Sequence, residues 1–371
     1  MKALVTGGTG FVGTHLVRKL KARGDTVRCL VRKTSNVATL EKMGVELAEG
    51  DLTMCASLAD AVRGVDVVYH CAAKVGGAGI RSEFYLPNVE GTRNVIEACE
   101  AAGVARLVYV STQSVTFDFT DKFNADESTL LPRRYRDPYS ETKALAEKEV
   151  LDAARKRRVS ANAVRPTLVW GPGDLTILPV MAKLASRGVL VLVNGGRAET
   201  STSYVENVCD CLVLAADRKN VSGEAFFVTD DECITSREFI EKMADAAGFK
   251  KPKMSLPYGL AYALAAVAEK LHALSGSKKE PLMTRYAIGL TGRNLTFSCE
   301  KARRLLGYRP VVSINDVNTR PCPAGTSRED VRLSPCTREE ECTDGRSIVT
   351  KTHRGTWATQ ARSSTSGEAT A

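Results

Sequence analysis

The residues of this 371-residue chain best suited to proton transfer are a tyrosine and a lysine four positions apart, Tyr139 and Lys143. This spacing places both side chains on one face of a helix. A lysine ammonium beside a phenol favours the phenolate, so we expect Lys143 to lower the pKa of Tyr139 from its ordinary value of about 10. Upstream, residues 111–115 end an apolar run with hydroxyl groups, among them that of Thr112, which can hold a substrate oxygen against the tyrosine. The pattern predicts acid–base chemistry on a hydroxyl or carbonyl group.

A glycine-rich segment directly follows the first apolar run of the chain. It reads Thr6-Gly7-Gly8-Thr9-Gly10-Phe11-Val12-Gly13 and lies in a predicted strand–turn–helix. In such a segment the first glycine permits a tight turn, the second lets backbone approach a pyrophosphate, and the third allows close packing of helix on strand. The diphosphate then rests on the helix N-terminus. The predicted dinucleotide contacts are Gly7, Thr9, Gly10, Phe11, Val12 and Gly13.

The end of the second predicted strand bears on cofactor choice, because NAD sites of this kind carry an acidic residue there for the ribose 2′-hydroxyl. This strand instead ends in Arg32 and Lys33, which suit a 2′-phosphate and favour NADP over NAD. The alternative is that both side chains are simply solvated at the start of a loop. Asp51, after the third strand, can accept from the adenine amino group, and a plain turn is the alternative there.

These residues need elements that bring them together, and the chain alternates short apolar strands with amphipathic helices. That alternation predicts an α/β fold, a Rossmann-type doubly wound parallel sheet with helices on both faces. We expect residues 1–165 to form the dinucleotide-binding core, a strand near 225–228 to return to it, and residues 166–315 to form mainly a smaller C-terminal substrate-binding region. The predicted strands are Lys2–Thr6, Thr26–Val31, 45–48, Val67–His70, Arg106–Val110, 161–165 and Ala225–Val228. The predicted helices are Phe11–Ala22, 37–43, 57–63, 90–102, 139–155, Ile177–Ser186, Ser236–Ala247, 258–274 and 299–306.

The composition changes abruptly near residue 316. The last 55 residues contain sixteen Ser or Thr, no Phe or Tyr, and few aliphatic side chains. Such a stretch cannot bury enough apolar surface to offset the entropy lost on ordering. We therefore predict that residues 316–371 form a disordered tail.

Composition and charge exclude several classes of protein. A formal charge of +9 is compatible with an anionic ligand, membrane or nucleic acid, but no long Lys/Arg run with interleaved aromatics is present, so no nucleic-acid partner is expected. Eleven cysteines without paired CxxC motifs argue against a disulfide framework. With four histidines and no His/Cys pair at ligand spacing, no metal site is expected.

The sequence also bears on location. A strand beginning at residue 2 leaves no room for a signal peptide before it, which favours a cytoplasmic protein. The longest uncharged apolar run, residues 256–268, is thirteen residues long, whereas a spanning helix needs about twenty. A helix over 256–274 can instead lie on the cytosolic face of a membrane, or cover the substrate pocket.

Taken together, these motifs resemble the extended short-chain dehydrogenase/reductases over residues 1–315. The chain is most similar to the 3β-hydroxysteroid dehydrogenase branch, including the decarboxylating sterol-4α-carboxylate 3-dehydrogenases. The general resemblance is carried by residues 6–13, 51–52, 70–73, 88–92, 111–115, 139–143 and 165–166, and the branch by residues 84–97, 138–148 and 298–310.

The resemblance implies a role for each matched position. Tyr139 would be the general acid/base, Lys143 would bind the nicotinamide ribose and lower the phenol pKa, and Thr112 would orient the substrate oxygen. His70 would be structural. Tyr139 and Lys143 would also contact the cofactor, and further contacts would come from Arg32, Asp51, Leu52, Ala72, Asn88 and Pro166. The departures from the family pattern are Pro87, Thr112, Arg32 and the tail, which stands where a closing helix is expected.

The implied function is oxidation of a 3β-hydroxyl on a sterol-like substrate, with hydride passing to NADP or NAD. If a 4α-carboxylate is present, the resulting β-keto acid can lose carbon dioxide. The alternatives are an NADPH-dependent reductase of flavonoid-like or other carbonyl compounds, a nucleotide-sugar epimerase or dehydratase, and a non-enzymatic redox-sensing protein. The epimerase would need sugar-diphosphate anchors that we do not identify, and Tyr139 with Lys143 argues against a non-enzymatic role. A homodimer and peripheral membrane contact remain open expectations.

Overall fold

The computed structural model describes residues 1–76, 79–275, 281 and 283–314, and three short segments at 342–344, 347–351 and 357–360. The chain divides into two compact units, Met1–Ser334 and Pro335–Ala371. The strands of the first unit are β1 (Lys2–Thr6), β2 (Thr26–Val31), β3 (Glu46–Glu49), β4 (Val67–His70), β5 (Arg106–Val110), β6 (Lys122–Ala125), β7 (Ala161–Pro166), β8 (Leu168–Trp170), β9 (Val191–Val193), β10 (Glu199–Tyr204), β11 (Ala225–Val228), β12 (Cys233–Thr235), β13 (Met254–Leu256) and β14 (Leu295–Phe297).

Twelve α-helices connect these strands in the part of the first unit that the structure describes. A π-helical turn over Leu86–Glu90 and a 3₁₀ turn over Gln113–Thr116 lie beside the site described below. The helices are α1 (Phe11–Ala22), α2 (Ala38–Lys42), α3 (Cys55–Ala61), α4 (Arg81–Tyr85), α5 (Gly91–Ala101), α6 (Pro138–Arg155), α7 (Ile177–Ser186), α8 (Val205–Asp217), α9 (Ser236–Ala247), α10 (Tyr258–Ser275), α11 (Arg285–Gly292) and α12 (Glu300–Leu306).

The main sheet has seven strands in the order β3-β2-β1-β4-β5-β7-β11, and all its pairings are parallel. Apolar runs such as that of β4 are buried on both faces, as expected for a sheet covered by helices on both sides. Strand order reverses at β1, which lies between β2 and β4. Ligands of such sheets bind at the carboxyl ends of the strands beside this reversal. The predicted Rossmann-type doubly wound sheet is confirmed.

Helix starts follow from local sequence. At α6, the Asp137 carboxylate accepts a hydrogen bond from the Ser140 backbone N–H at 2.7 Å, and Pro138 occupies the first helical turn. At α9, Thr235 and Glu238 form a capping box. These caps fix where each helix begins, and the cap of α6 therefore sets the position of Tyr139 two residues later.

A second, five-stranded sheet has the order β12-β10-β14-β6, with β8 pairing alongside β10. Its strands come from both sides of the predicted boundary at residue 165, since β6 precedes that boundary. Conversely, α8 and α12 contribute Leu212 and Ala302 to the apolar cluster that contains Leu16 of α1. The two layers are therefore interleaved along the chain, and the division at residue 165 stays a prediction.

In the second unit, three strands form a small antiparallel sheet: β15 (Cys342–Asp344), β16 (Ser347–Lys351) and β17 (Trp357–Gln360). These three strands lie within residues 316–371, for which the composition predicts a disordered tail, so the structure differs from the prediction at these positions. The rest of the predicted disordered tail lies outside the described residues.

Candidate active site

The glycine-rich segment forms a tight loop between β1 and α1. Gly7 has φ +71°, and a Cβ there would meet the Ala72 backbone nitrogen at 2.7 Å. A Cβ on Gly13 would lie 2.1 Å from the Gly7 carbonyl oxygen, so only glycine lets α1 pack this closely on the loop. Gly10 is exposed at the start of α1, where no side chain caps the helix and no acidic residue occupies the first turn. This glycine cradle and free helix N-terminus fit a dinucleotide diphosphate.

The remaining residues of this loop are placed around the cradle. Thr9 and Phe11 are partly buried, and the Phe11 ring packs edge-on against His15. Val12 packs against both the main core and the core of the second layer. Their positions at the amino end of α1 agree with the predicted cofactor contacts, while the contacts themselves stay predictions.

A buried histidine links β1 to β4 beneath the cradle. His70 Nδ1 lies 2.7 Å from Thr6 Oγ1, and its Nε2 lies 3.0 Å from Thr92 Oγ1. The Ala72 backbone N–H donates to Thr6 Oγ1 at 3.3 Å. Burial lowers the pKa of His70 to about 3, so the imidazole is neutral and each ring nitrogen is engaged by a hydroxyl. These contacts give His70 a structural role and hold Ala72 beside Gly7.

The residues predicted to bear on cofactor choice lie at the carboxyl ends of β2 and β3. Arg32 is exposed, and its guanidinium has no hydrogen-bond or ion-pair partner among the described residues. Asp51 accepts from the backbone and hydroxyl of Thr53, which lowers its pKa, and Arg32 adds a smaller lowering. Leu52 packs beside Gly91, because a Cβ added to Gly91 would lie only 2.9 Å from the Leu52 Cβ. The Arg32 guanidinium is thus available for an anionic group close to Asp51.

Asn88 fixes the loop that follows β4. Its side chain accepts from the Lys74 backbone N–H at 2.7 Å and donates to the Lys74 carbonyl oxygen at 3.0 Å. It also donates to Thr142 Oγ1 of α6 at 3.1 Å. The residue is buried within the π-helical turn, a feature that is frequent at functional sites. Asn88 therefore connects the loop beside the glycine cradle to the helix that carries Tyr139.

The hydroxyl groups predicted to act on substrate converge at the carboxyl end of β5. Thr112 Oγ1 accepts from the Ser114 backbone N–H at 3.2 Å, which caps the 3₁₀ turn. Burial raises the pKa of Tyr139 to about 12, and a hydrogen bond with Thr112 acts in the opposite direction. The structure therefore brings Thr112 and Tyr139 together. Pro166 ends the neighbouring strand β7 and is buried.

Lys143 lies one helical turn after Tyr139 and is 2% exposed. Its Nζ donates to the Val110 carbonyl oxygen at 2.6 Å and lies 4.2 Å from the centre of the Tyr109 ring. Burial lowers the pKa of Lys143 to about 7, although Glu147 acts in the opposite direction.

The raised pKa of Tyr139 corrects the expectation that Lys143 lowers it. Desolvation dominates at both side chains, and the lysine is directed to a backbone carbonyl oxygen, so the pKa of the phenol lies above its ordinary value.

Two groups of residues were missed by sequence reasoning. Glu147 forms a buried ion pair with Arg165 at 2.5 Å and accepts from Ser111 Oγ at 2.6 Å. Its position four residues after Lys143, on the same helical face, was a usable signal. Tyr286 of α11 lies 6.2 Å from Tyr139 between ring centres. No local signal predicts that contact, because the two residues are far apart in the chain.

Two further features bear on the kind of site. Over the described residues, no group of three or more His, Cys, Asp or Glu side chains is arranged to hold a metal ion. In the same part of the chain, no helix combines the length and apolar character needed to cross a bilayer.

Comparison with known proteins gives consistent matches. The sequence profile of the 3-beta hydroxysteroid dehydrogenase/isomerase family matches residues 4–258. A 2-alkyl-3-oxoalkanoate reductase from Stenotrophomonas maltophilia (strain K279a) is 38% identical over 322 residues, covering 85% of this chain and 97% of the relative. The decarboxylating sterol-4-alpha-carboxylate 3-dehydrogenase of Mus musculus is 33% identical over 323 residues, covering 85% of this chain and 88% of the relative.

A solved structure supports the same fold. The dTDP-glucose 4,6-dehydratase DesIV from Streptomyces venezuelae, determined with NAD and TYD bound, has a TM-score of 0.66 to this chain and 26% sequence identity. The match covers 85% of this chain and 94% of that structure. A dinucleotide is thus bound by a protein of this architecture.

Proposed function

Because the chain belongs to the 3-beta hydroxysteroid dehydrogenase/isomerase family, we propose that it moves a hydride between a nicotinamide cofactor and a 3-hydroxy/3-keto carbon whose neighbouring carbon carries a carboxyl group. That it is an NAD(P)-dependent oxidoreductase acting on hydroxyl or keto groups follows from the family and the relatives. The observation that carries the proposal is the meeting of Tyr139 and Thr112 at the strand ends that border the glycine cradle.

The names of the two relatives support this substrate class. In a 2-alkyl-3-oxoalkanoate the keto carbon lies two bonds from the carboxyl carbon, with a substituted carbon between them. A sterol 4α-carboxylate has the same arrangement around carbons 3 and 4. Our proposed substrate is therefore a sterol-like or long-chain compound with this arrangement. After oxidation of carbon 3, a 4-carboxylate can leave as carbon dioxide, because the new keto group accepts the electron pair of the broken carbon–carbon bond.

The mechanism assigns each step to a side chain of this protein. When bound, the nicotinamide supplies the hydride acceptor for oxidation or the donor for reduction. In oxidation, Tyr139 as phenolate takes the proton of the substrate hydroxyl, and in reduction its phenol returns that proton to the oxygen. Thr112 orients the oxygen. Lys143, one helical turn after Tyr139, would hold the nicotinamide ribose.

We propose that Arg32 selects NADP over NAD. Its guanidinium lies just after β2, is exposed and has no partner among the described residues, which supports this choice because a guanidinium matches the geometry of a phosphate. Asp51 and Leu52 would border the adenine, Ala72 and Asn88 the region between the two ends of the cofactor, and Pro166 the nicotinamide.

We also propose peripheral contact with an anionic membrane through one face of α10. Five exposed apolar side chains repeat there at intervals of four and three residues, which places them on one stripe of the helix. Two exposed lysines lie nearby: Lys253 precedes α10, and Lys270 lies within it. We define the α10 stripe as Leu260, Leu264, Val267, Leu271 and Leu274.

The test of the proposed activity is a substrate panel. Sterol 4-carboxylates, 2-alkyl-3-hydroxy acids, flavonoids and nucleotide sugars are each incubated with NADP and NAD, and the nicotinamide absorbance is followed. We expect turnover with a compound of the first two classes. Turnover only with a flavonoid or a nucleotide sugar would instead support one of the alternative functions.

A further inference from the structure

Beside Tyr139 lies a second pair of hydroxyl groups that the mechanism does not use. Ser114 Oγ and the Tyr286 hydroxyl lie 2.8 Å apart. Ser114 is 3% exposed, and its backbone N–H is held by Thr112. Tyr286 reaches the pair from α11, and its ring packs edge-on against those of Tyr139 and Phe117. The two pairs of hydroxyls therefore lie next to each other.

The Ser114–Tyr286 pair has one O–H group that is not used in the hydrogen bond between them. A serine or tyrosine hydroxyl donates one hydrogen bond, and only one of the two can donate within the pair. Neither hydroxyl has a second partner within hydrogen-bonding distance among the described residues. Burial also raises the pKa of Tyr286 well above its ordinary value, so this phenol keeps its proton. One O–H group in a mostly buried place is thus left without an acceptor, which is costly unless an acceptor is supplied.

We propose that Ser114 and Tyr286 bind the second oxygen-bearing group of the substrate, the carboxyl next to the 3-hydroxy or 3-keto carbon, and so determine specificity. This inference rests on the proposed function. The Tyr139–Thr112 pair holds the reacting oxygen, and the adjacent Ser114–Tyr286 pair donates to the carboxyl oxygen. Tyr286 is a specificity-determining residue in this account and takes no part in the proton transfer.

The surrounding charges limit how that carboxyl is bound. Asp137 influences both tyrosines electrostatically, and burial raises its own pKa. Arg285, the neighbour of Tyr286, is already paired with Glu269 at 2.6 Å. Arg285 is therefore not free to neutralise the substrate carboxyl, and in this account the two hydroxyl donors recognise it. Loss of one donor should therefore be measurable.

The experiment compares two substrates that differ only in the carboxyl group. A 2-alkyl-3-hydroxy acid and the secondary alcohol that lacks its carboxyl are oxidised by the wild-type protein, Tyr286→Phe and Ser114→Ala. Tyr286→Phe keeps the ring and removes only the hydroxyl. We expect kcat/KM for the acid to fall about 10- to 100-fold, as for a lost hydrogen bond to a charged group, with kcat/KM for the alcohol nearly unchanged. Tyr258→Phe, which removes a phenol hydroxyl from the neighbouring helix, should leave both values unchanged.

The outcomes separate this inference from the proposed function. If the wild-type protein oxidises the acid and Tyr286→Phe leaves the acid-to-alcohol ratio unchanged, the specificity role is wrong and the proposed function stands. An equal fall with both substrates would mean that Tyr286 only maintains the fold, and would also overturn the inference. If the wild-type protein oxidises neither compound, while it does oxidise a flavonoid or a nucleotide sugar, both proposals fail together.

Discussion

The preference between the two nicotinamide cofactors depends on one exposed side chain, Arg32. We expect Arg32→Asp to weaken NADP binding at least tenfold, because the change removes a phosphate partner and adds a repelling charge. NAD binding should weaken little or improve. Dissociation constants for both cofactors, measured by fluorescence titration, check this, with Arg187→Asp, at an exposed position outside the predicted cofactor contacts, as a control. Equal effects of Arg32→Asp on the two cofactors would show that this side chain is only solvated.

Buried His70 makes the stability of the protein sensitive to acid. Its pKa is about 3 in the folded chain, whereas an unfolded histidine has a pKa of about 6.5. The unfolded state therefore binds more protons between these values, so the stability contributed by neutral His70 is complete above pH 6.5 and is lost as the pH falls toward 3. The expected slope is up to about 1.4 kcal/mol per pH unit.

The measurement for His70 is urea unfolding from pH 4.5 to 7.5. His70→Gln cannot titrate, so its unfolding free energy should fall less steeply below pH 6.5 than that of the wild-type protein. Parallel curves would mean that the pKa of His70 is the same in the folded and the unfolded chain, contrary to its burial and its two hydroxyl contacts.

The sequence was sufficient to predict those site residues whose roles depend on their spacing along the chain. The glycines at 7 and 13 are needed for close backbone contacts, and Tyr139 and Lys143 share a helical face, as predicted. The electrostatics were not predictable, since the pKa of each group depends on burial by distant elements. The contact of Tyr286 with Ser114 joins positions 172 residues apart, and no local pattern encodes it.

The strands of the main sheet and the helices that cover it were predicted closely, because their hydrophobic patterns depend only on neighbouring residues. The bounds of β1, α1, β2, β4 and β5 agree with the structure residue for residue. The strands of the second sheet, β6, β8, β10, β12 and β14, were missed, and the polar sequence of β10 shows why. Its residues Thr200–Ser203 are buried, but their hydroxyls are paired with neighbouring groups, so hydrophobicity gave no signal. The strand depends on those pairings across the layer.

The α10 stripe gives a prediction about one helix. Leu264 and Leu271 are 43% and 63% exposed. We expect Leu264→Ser with Leu271→Ser to reduce binding to liposomes that contain anionic lipid at least tenfold, because apolar area and charge attraction both contribute to interfacial binding. Leu130→Ser, at a position that is 89% exposed elsewhere on the surface, is the matched control.

Flotation of the protein with liposomes measures this binding. A wild-type protein that stays entirely in the unbound fraction would remove the membrane proposal. If the stripe instead joins two copies of the chain, the double variant will shift the molecular mass measured by light scattering, and liposome binding will be unaffected.

For the chain as a whole, the described fold of the first unit reaches its last buried contacts at residues 311–314. Asn207 hydrogen-bonds to the backbone of Val311 and Val312, and Ile314 is fully buried. We expect removal of residues 317–371 to leave the melting temperature within a few degrees and the NADP affinity unchanged, since the composition of this segment offers little apolar surface to the core. Insolubility of the shortened chain, or a tenfold loss of affinity, would show that part of the segment docks onto the fold.

The central claim is that this chain is a dehydrogenase whose proton transfer depends on Tyr139, and one variant tests it most directly. Tyr139→Phe keeps the ring but cannot exchange a proton with the substrate oxygen. With the best substrate from the panel, stopped-flow absorbance of the nicotinamide measures hydride transfer in a single turnover, and a separate titration measures cofactor affinity. The account predicts a loss of about 100- to 10,000-fold in the rate of hydride transfer, with cofactor affinity unchanged. A rate equal to that of the wild-type protein would contradict it.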